Sequence, residues 1–357
     1  MRFHSQNDLR RGCIRFRVLI GLVLLGSPAL AVAQTADEER PVPILTGSAG
    51  FFTNVDGGHT ELAPVISPVL LVPIGERWLV EARGSFEGEF ARKNDNGPYG
   101  GTVGKEVDYA QLDFIANRYV TVTAGRFLTP FGIYNERLYP IWIRSLQREP
   151  LIYPIATEAS SGIMLRGGFA ISAKANLNYA AYFSTLSTIN KLESDRTVGG
   201  RVGFFLPGPR VEIGASFQQL LQEERTRASG FHFAWQPAAT PLNLRSEYAW
   251  SGDKGSGYWI EAAYRLSQVP RWQRVMRHVE IAGRMQQFFG HIDEDEAEEY
   301  ELPEIDTQQA DFGLNYYFMD GLKATASYGR EFSSEGNANL WTVGIAYRFA
   351  VPLGRVQ

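Results

Sequence analysis

Apolar residues alternate with polar or small ones along most of this chain. In the run NLWTVGIAYRFA, Trp341, Val343, Ile345, Tyr347 and Phe349 fall on one parity. Thr342, Gly344, Ala346 and Arg348 fall on the other. Successive strand side chains point to opposite faces, so the run predicts a strand with one apolar and one polar face. LKATASYGR, QADFGLNYYF, VEIGASFQ and SGFHFAWQ repeat the pattern, as do RVGFFL, LNLRSEYAW and RWLVEARGSF. Sixteen such strands are expected, starting near residues 44, 62, 77, 106, 119, 162, 173, 198, 210, 228, 241, 257, 277, 307, 321 and 340. The first two fit least well, because Pro64, Pro68 and Pro73 cannot donate to a ladder.

The connectors alternate in length. PIGE, FAIS, PGP, QPAATP and FMDG are short, whereas RKNDNGPYGGTVGK, TINKLESDRT and HIDEDEAEEYELPEID are long. Strands of about ten residues joined by alternating short turns and long loops, with aromatics near the ends of the apolar face, mark a transmembrane β-barrel. In hydrocarbon every backbone N–H and C=O must be bonded, so the strands must close on themselves. The expected fold is an all-β, antiparallel, up-and-down barrel of about sixteen strands.

The first 33 residues stand apart. Arg2, Arg10, Arg11, Arg15 and Arg17 precede the apolar run VLIGLVLLG, and ALAVA follows it. That order marks a secretory signal peptide, 1–33, with cleavage after Ala33. A short segment, 34–43, would then lead into a barrel over 44–357. Export of this kind places the barrel in a Gram-negative outer membrane. Cys13, the one cysteine, lies inside the signal, so the exported chain has no thiol for a disulfide or a metal. Without the signal's five arginines and one aspartate, 30 basic and 38 acidic residues remain. An acidic balance of this size argues against a nucleic-acid partner.

With the polar faces turned inward, the lumen receives Arg83, Arg166, Lys174, Arg201, Arg245, Arg265, Arg284, Lys323 and Arg348. It also receives Glu81, Glu87, Asp113, Glu212, Glu247, Glu261, Glu280 and Asp311. The charges nearly cancel. About sixteen strands leave an aqueous channel rather than a packed interior. These residues therefore either line a mixed-charge pore or form wall ion pairs that hold the barrel round.

The longest connector, 128–161, joins the fifth and sixth strands. It carries Phe131, Tyr134, Tyr139, Trp142, Ile143, Leu146 and Tyr153 together with Arg137, Arg144, Arg148, Glu136 and Glu149. A loop this long with apolar anchors is functional more often than floppy. Folded inward, its aromatics can pack on the wall while its charges face the water path. The alternative is a loop folded outward as a cap.

The run VTVTAGRFLTPFGIYNERL resembles the strand and TPFG region of the phosphate-selective porin O and P family. The order of elements is similar to the general porin plan, in which the third external loop narrows the barrel. The resemblance implies a homotrimeric channel for small solutes or ions, with basic residues at its constriction. It implicates Arg126 first, then Arg137, Arg144 and Arg148. Glu136 and Glu149 oppose that positive charge, so only a weak anion preference is expected. The chain lacks the closely spaced lysines and arginines of the phosphate-selective members. It also continues for eight residues past Phe349, whereas many porins end on an aromatic.

Other constellations carry less. The stretch His291–Asp306 holds nine acids. It is either a solvated repulsive loop or a surface for divalent-cation bridging to lipopolysaccharide. YGGTVGKE fails as a phosphate loop, because Tyr99 and Glu106 stand where glycine and Ser or Thr belong. No H-E-x-x-H or G-x-S-x-G pattern occurs, and His232 is the one histidine placed to act as a base on an inward face. No cofactor or metal site is expected, and no enzymatic activity. The alternatives to a porin are a purely structural or adhesive barrel and, after it, a barrel enzyme whose Ser–His pair assembles across strands.

Overall fold

The computed structural model describes residues 42–92, 97–189, 192–222, 225–290, 292, 297, 300–334 and 336–354. The signal-peptide assignment and most of the acidic run lie outside these residues. No described helix is long and apolar enough to cross a membrane.

Sixteen strands form one closed antiparallel barrel in which each pairs with its sequence neighbours and the last returns to the first. They are β1 (Ile44–Asp56), β2 (His59–Ile74), β3 (Trp78–Arg92), β4 (Tyr99–Asn117), β5 (Val120–Leu128), β6 (Ala159–Ser172), β7 (Ala175–Ser184) and β8 (Thr197–Leu206). The second half comprises β9 (Val211–Leu220), β10 (Arg227–Trp235), β11 (Leu242–Ser251), β12 (Gly255–Arg265), β13 (Val279–Phe289), β14 (Thr307–Met319), β15 (Leu322–Ser333) and β16 (Gly336–Pro352). Closure runs along β1 and β16, where Phe51 lies opposite Ile345 and Ala49 opposite Tyr347. A closed barrel leaves no unpaired edge.

The alternation sorts the side chains as expected. Ile163, Phe231, Met285 and Val343 are exposed on the outer face. Outer-face residues also meet across strands, as Ile260 does with Met285. An apolar outer face suits hydrocarbon, and a polar inner one suits water. The inner face carries cross-strand ion pairs. Arg245, Glu261, Arg284 and Asp311 stand in register across β11 to β14. Their charges alternate, with contacts of 2.5 Å, 4.0 Å and 3.4 Å. Opposite charges directly across a ladder stabilise it.

Five sequence expectations need correction. β4 begins at Tyr99, so the long connector expected around YGGTVGK is strand up to its first residues. β2 holds all three prolines, because its pairing with β3 passes from Leu62 to Val65 and from Ile66 to Val69 without partners for Pro64 or Pro68. The short turns are not all short: residues 266–278 join β12 to β13 at the short-turn end and include a helical turn, Gln273–Met276. Lys174 lies in the turn between β6 and β7, not on a wall strand. β16 also runs on to Pro352, so the residues after Phe349 continue the wall.

Candidate functional site

Between Leu128 and Ala159 the chain leaves the wall. Pro130, Pro140, Pro150 and Pro154 lack the N–H that a helix or ladder needs, which keeps this segment irregular. Its base is closed by Thr129 N donating to Glu158 O at 2.9 Å and by Asn135 Nδ2 donating to the same oxygen at 2.6 Å.

The loop then binds the polar wall in three stretches. The first is anchored on β8, β9 and β11. Gly132 has φ +61°, and a Cβ there would collide with the Glu247 carboxylate on β11. Glu247 accepts from Ile133 N and from Tyr134 N at 2.6 Å, at the start of the π-helical turn Tyr134–Leu138. The first N–H groups of a helical turn have no partner within it, so a wall carboxylate supplies one. Gly132 N donates to Ser216 Oγ at 2.9 Å, and Arg201 donates to Gly132 O at 2.8 Å. Arg137 forks onto both oxygens of Glu212 at 2.7 and 2.6 Å. A fork of this kind fixes orientation as well as charge.

The second stretch crosses to the opposite wall. Ile141 packs with Phe52, Val65 and Ala346 of β1, β2 and β16. Lys323 Nζ on β15 donates to Trp142 O at 3.0 Å and Arg144 O at 2.6 Å. Asn315 Nδ2 on β14 donates to Ser145 O at 2.8 Å. Leu146 fits between Ala263 and Ala282. The third stretch returns: Arg284 donates to Arg148 O at 2.8 Å, Leu151 N to Gln286 Oε1 at 3.0 Å, and Gln218 to Thr157 Oγ1 at 2.7 Å. Ile133, Tyr134, Leu138, Ile152 and Ile155 share one apolar cluster with Trp259 and Phe288 of the wall. Ile292 and Leu302, from the connector between β13 and β14, complete it.

The predicted site residues divide. Glu136 pairs with Arg201 at 2.7 Å, and Arg144 with Glu149 at 2.9 Å. Arg144 also donates to Leu138 O and Tyr139 O, tying the loop to itself. Arg148 reaches Asp56 at 3.4 Å. Arg126 does not join them. It shares a face of β5 with Val122 and Ala124, opposite the buried Thr123 and Phe127, and donates to Val107 O and Glu193 O. Sequence reasoning turned Glu212, Glu247, Arg201 and Lys323 inward without showing that they hold the loop. Parity alone also puts Ser216, Gln218 and Asn315 on the polar faces, and nothing in the sequence marks them, or Gln286, as tethers for the loop.

Wall residues the loop leaves open lie chiefly on β3, β4 and β6. Glu87, Glu89 and Glu106 are exposed, and Arg166 reaches Asp113 at 3.4 Å. At the short-turn end a cavity of about 470 Å³ is lined by Arg210, Gln236, Asn243, Gln268 and Glu280.

Glu158 gives the loop a pH response. Burial pushes its carboxyl up to about 7; the Tyr139 hydrogen bond opposes the rise, and Glu149 and Glu106 add to it. A folded pKa above the unfolded one means that the folded loop holds a proton the unfolded chain gives up. Its contribution is present below pH 4.5, the ordinary value, and lost as pH rises through about 7. Hydrogen exchange at residues 129–135, corrected for intrinsic rate, should be slower at about pH 5 than at about pH 8. Glu158→Gln should remove the difference. A wild-type loop equally protected at both pH values would contradict this.

The sequence matches no protein-family model, and no curated protein sequence matches it. The fold does have relatives among solved structures. Salmonella typhi OmpF, in complex with daunomycin, aligns over 87% of this chain and 98% of its own, with TM-score 0.58 and 13% identity. Pseudomonas putida OprB, in its low-pH structure, aligns over 87% and 92%, with TM-score 0.56 and 9% identity. An anion-selective porin from Comamonas acidovorans aligns over 86% and 98%, with TM-score 0.51 and 11% identity. At these identities the likeness is one of fold: the chain shares the closed barrel architecture of these outer-membrane proteins.

Proposed function

We propose that the chain is an outer-membrane porin through which small hydrophilic or ionic solutes diffuse passively, with residues 129–158 folded into the lumen as its constriction. The observation that carries this reading is the set of tethers from the loop to the polar face of the wall, on strands from β1 and β2 round to β9, β11 and β13 to β15. A loop folded over the outer rim would not reach inward residues on so many strands. The apolar outer face is then covered by lipid, or by neighbouring copies in a homotrimer.

Charge at the constriction is largely cancelled. Arg137, Arg144 and Arg148 each face a carboxylate, and Glu136 faces Arg201. Ion preference is therefore weak, and any anion preference rests on the guanidinium edges left toward water. The test is single-channel recording in planar bilayers under a salt gradient. A steady open channel with a reversal potential near zero is expected. A folded barrel that inserts and stays silent would overturn the reading in favour of a structural or adhesive barrel.

A further inference from the structure

The two ends of the barrel differ in charge. The connectors after even-numbered strands carry Arg77, Arg118, Lys174, Arg210, Arg271, Arg274 and Arg277 against two acids, Glu76 and Asp320. At the other end, with the loop 129–158 set aside, the connectors carry sixteen acids against five cations. Cations sit beside aromatics at the basic end, as Lys254 does beside the Tyr300 ring at the other, 3.8 Å away. Arg77 precedes Trp78, whose ring lies 4.5 Å from that of Phe114. The Arg118 guanidinium lies 4.5 Å from the Tyr119 ring. Trp235 donates to Pro209 O beside Arg210.

The connector from β12 to β13 concentrates this chemistry. Trp272 is 70% exposed, and Val275 is exposed beside it. Trp272 has φ +58°, so a bulky side chain is held outward in a backbone region that favours glycine. Among the described residues no carboxylate pairs with Arg271, Arg274 or Arg277, and Arg277 donates to His278. The connector ends against the apolar outer face. The His278 ring lies 6.1 Å from Tyr316, which meets Phe318 edge-on at 4.8 Å. Phe318 and Met319 are exposed there. An exposed tryptophan beside unpaired arginines, continuous with a lipid-facing belt, has the composition of an interfacial anchor.

We propose that this rim binds anionic phospholipid headgroups through Arg271, Arg274 and Arg277, with Trp272 seated at the headgroup level. The inference rests on the membrane-spanning part of the proposed function and not on the open pore. Guanidinium groups fork onto phosphate oxygens, and the indole has one dry and one wet edge. Each arginine near an anionic surface is worth roughly fivefold in affinity.

The test uses the full barrel in detergent, offered phosphatidylglycerol and phosphatidylcholine in equal amounts, with retained lipid counted by native mass spectrometry. The wild type should retain phosphatidylglycerol about tenfold or more over phosphatidylcholine. The preference should fall toward parity in R271Q/R274Q/R277Q and at about 1 M salt, where screening reaches about 3 Å. If the triple variant does not fold, R271Q and R274Q alone should each lose roughly fivefold. R225Q, at the acidic end, should change nothing. A wild type without preference, or arginine variants that keep it, would overturn the proposal. Channel recording on the same preparation separates the two readings. An open channel without lipid preference sinks this inference alone, and lipid preference in a silent barrel sinks the pore alone.

Discussion

Deleting residues 134–148 is expected to raise single-channel conductance several-fold. The segment carries the π-helical turn, the Arg137–Glu212 fork and the crossing from β11 to the wall of β1, β2 and β16. Removing it takes away the bulk that the proposed function places across the lumen, as removal of a plug does. The wall should survive, because every strand keeps both neighbours. Heat-modifiable mobility on a gel would confirm that the variant still closes. Conductance equal to wild type in such a barrel would place the loop outside the water path. The deletion strands Glu212 and Lys323, which lose the loop as a partner, while Glu247 loses Tyr134 N and keeps Ile133 N. In a water-filled lumen they are rehydrated, whereas in a dry core they would be costly.

Val343→Arg is expected to prevent stable insertion. Val343 sits mid-strand on β16, 55% exposed on the outer face, with Ile345 next along the same face. A charge at the bilayer midplane on the lipid face costs about 2–4 kcal/mol. Glu89→Arg, at an exposed inward position near Glu61, should insert normally. The contrast is read as the folded fraction after dilution into lipid vesicles. Equal folding of both variants would mean that the assigned faces are wrong. Thr342, the next residue along, looks like the natural control from alternation alone. It is 1% exposed and donates to Asn54 Oδ1 at 3.0 Å, so an arginine there has no room.

Thr342 shows where the sequence stops being readable. Parity along a strand gives the face of each side chain, and it yields the sixteen strands and the inward charges other than Lys174, which lies in a turn. It does not say which inward positions face water and which lie beneath a loop. Glu87 and Glu247 have the same parity signal; one is exposed and the other holds two backbone N–H groups. The difference depends on a partner more than a hundred residues away, for which local pattern carries no information. Strand limits failed for a related reason. Gly100, Gly101 and Gly104 read as loop, yet each belongs to β4, where Glu87 and Phe90 of β3 lie opposite Gly104 and Gly101. Only its place in a motif marks Arg126 for the constriction. Its parity, shared with Val122 and Ala124, already pointed to the outer face. The basic connector between β12 and β13 carries no such signal, because it is longer than the other turns at its end of the barrel.

The most direct test of the inward loop is a tether between it and a distant wall strand. Ser145→Cys with Asn315→Cys puts one thiol on the loop and one on β14, at positions where Asn315 Nδ2 and Ser145 O are 2.8 Å apart. The one native cysteine, Cys13, lies in the predicted signal peptide, so the exported chain adds no competing thiol. With a short bis-thiosulfonate reagent on the folded barrel in lipid, we expect an intramolecular cross-link in most molecules and conductance close to wild type. A folded double variant whose two cysteines both react with external reagent, yet never join, would contradict the inward loop and the constriction with it.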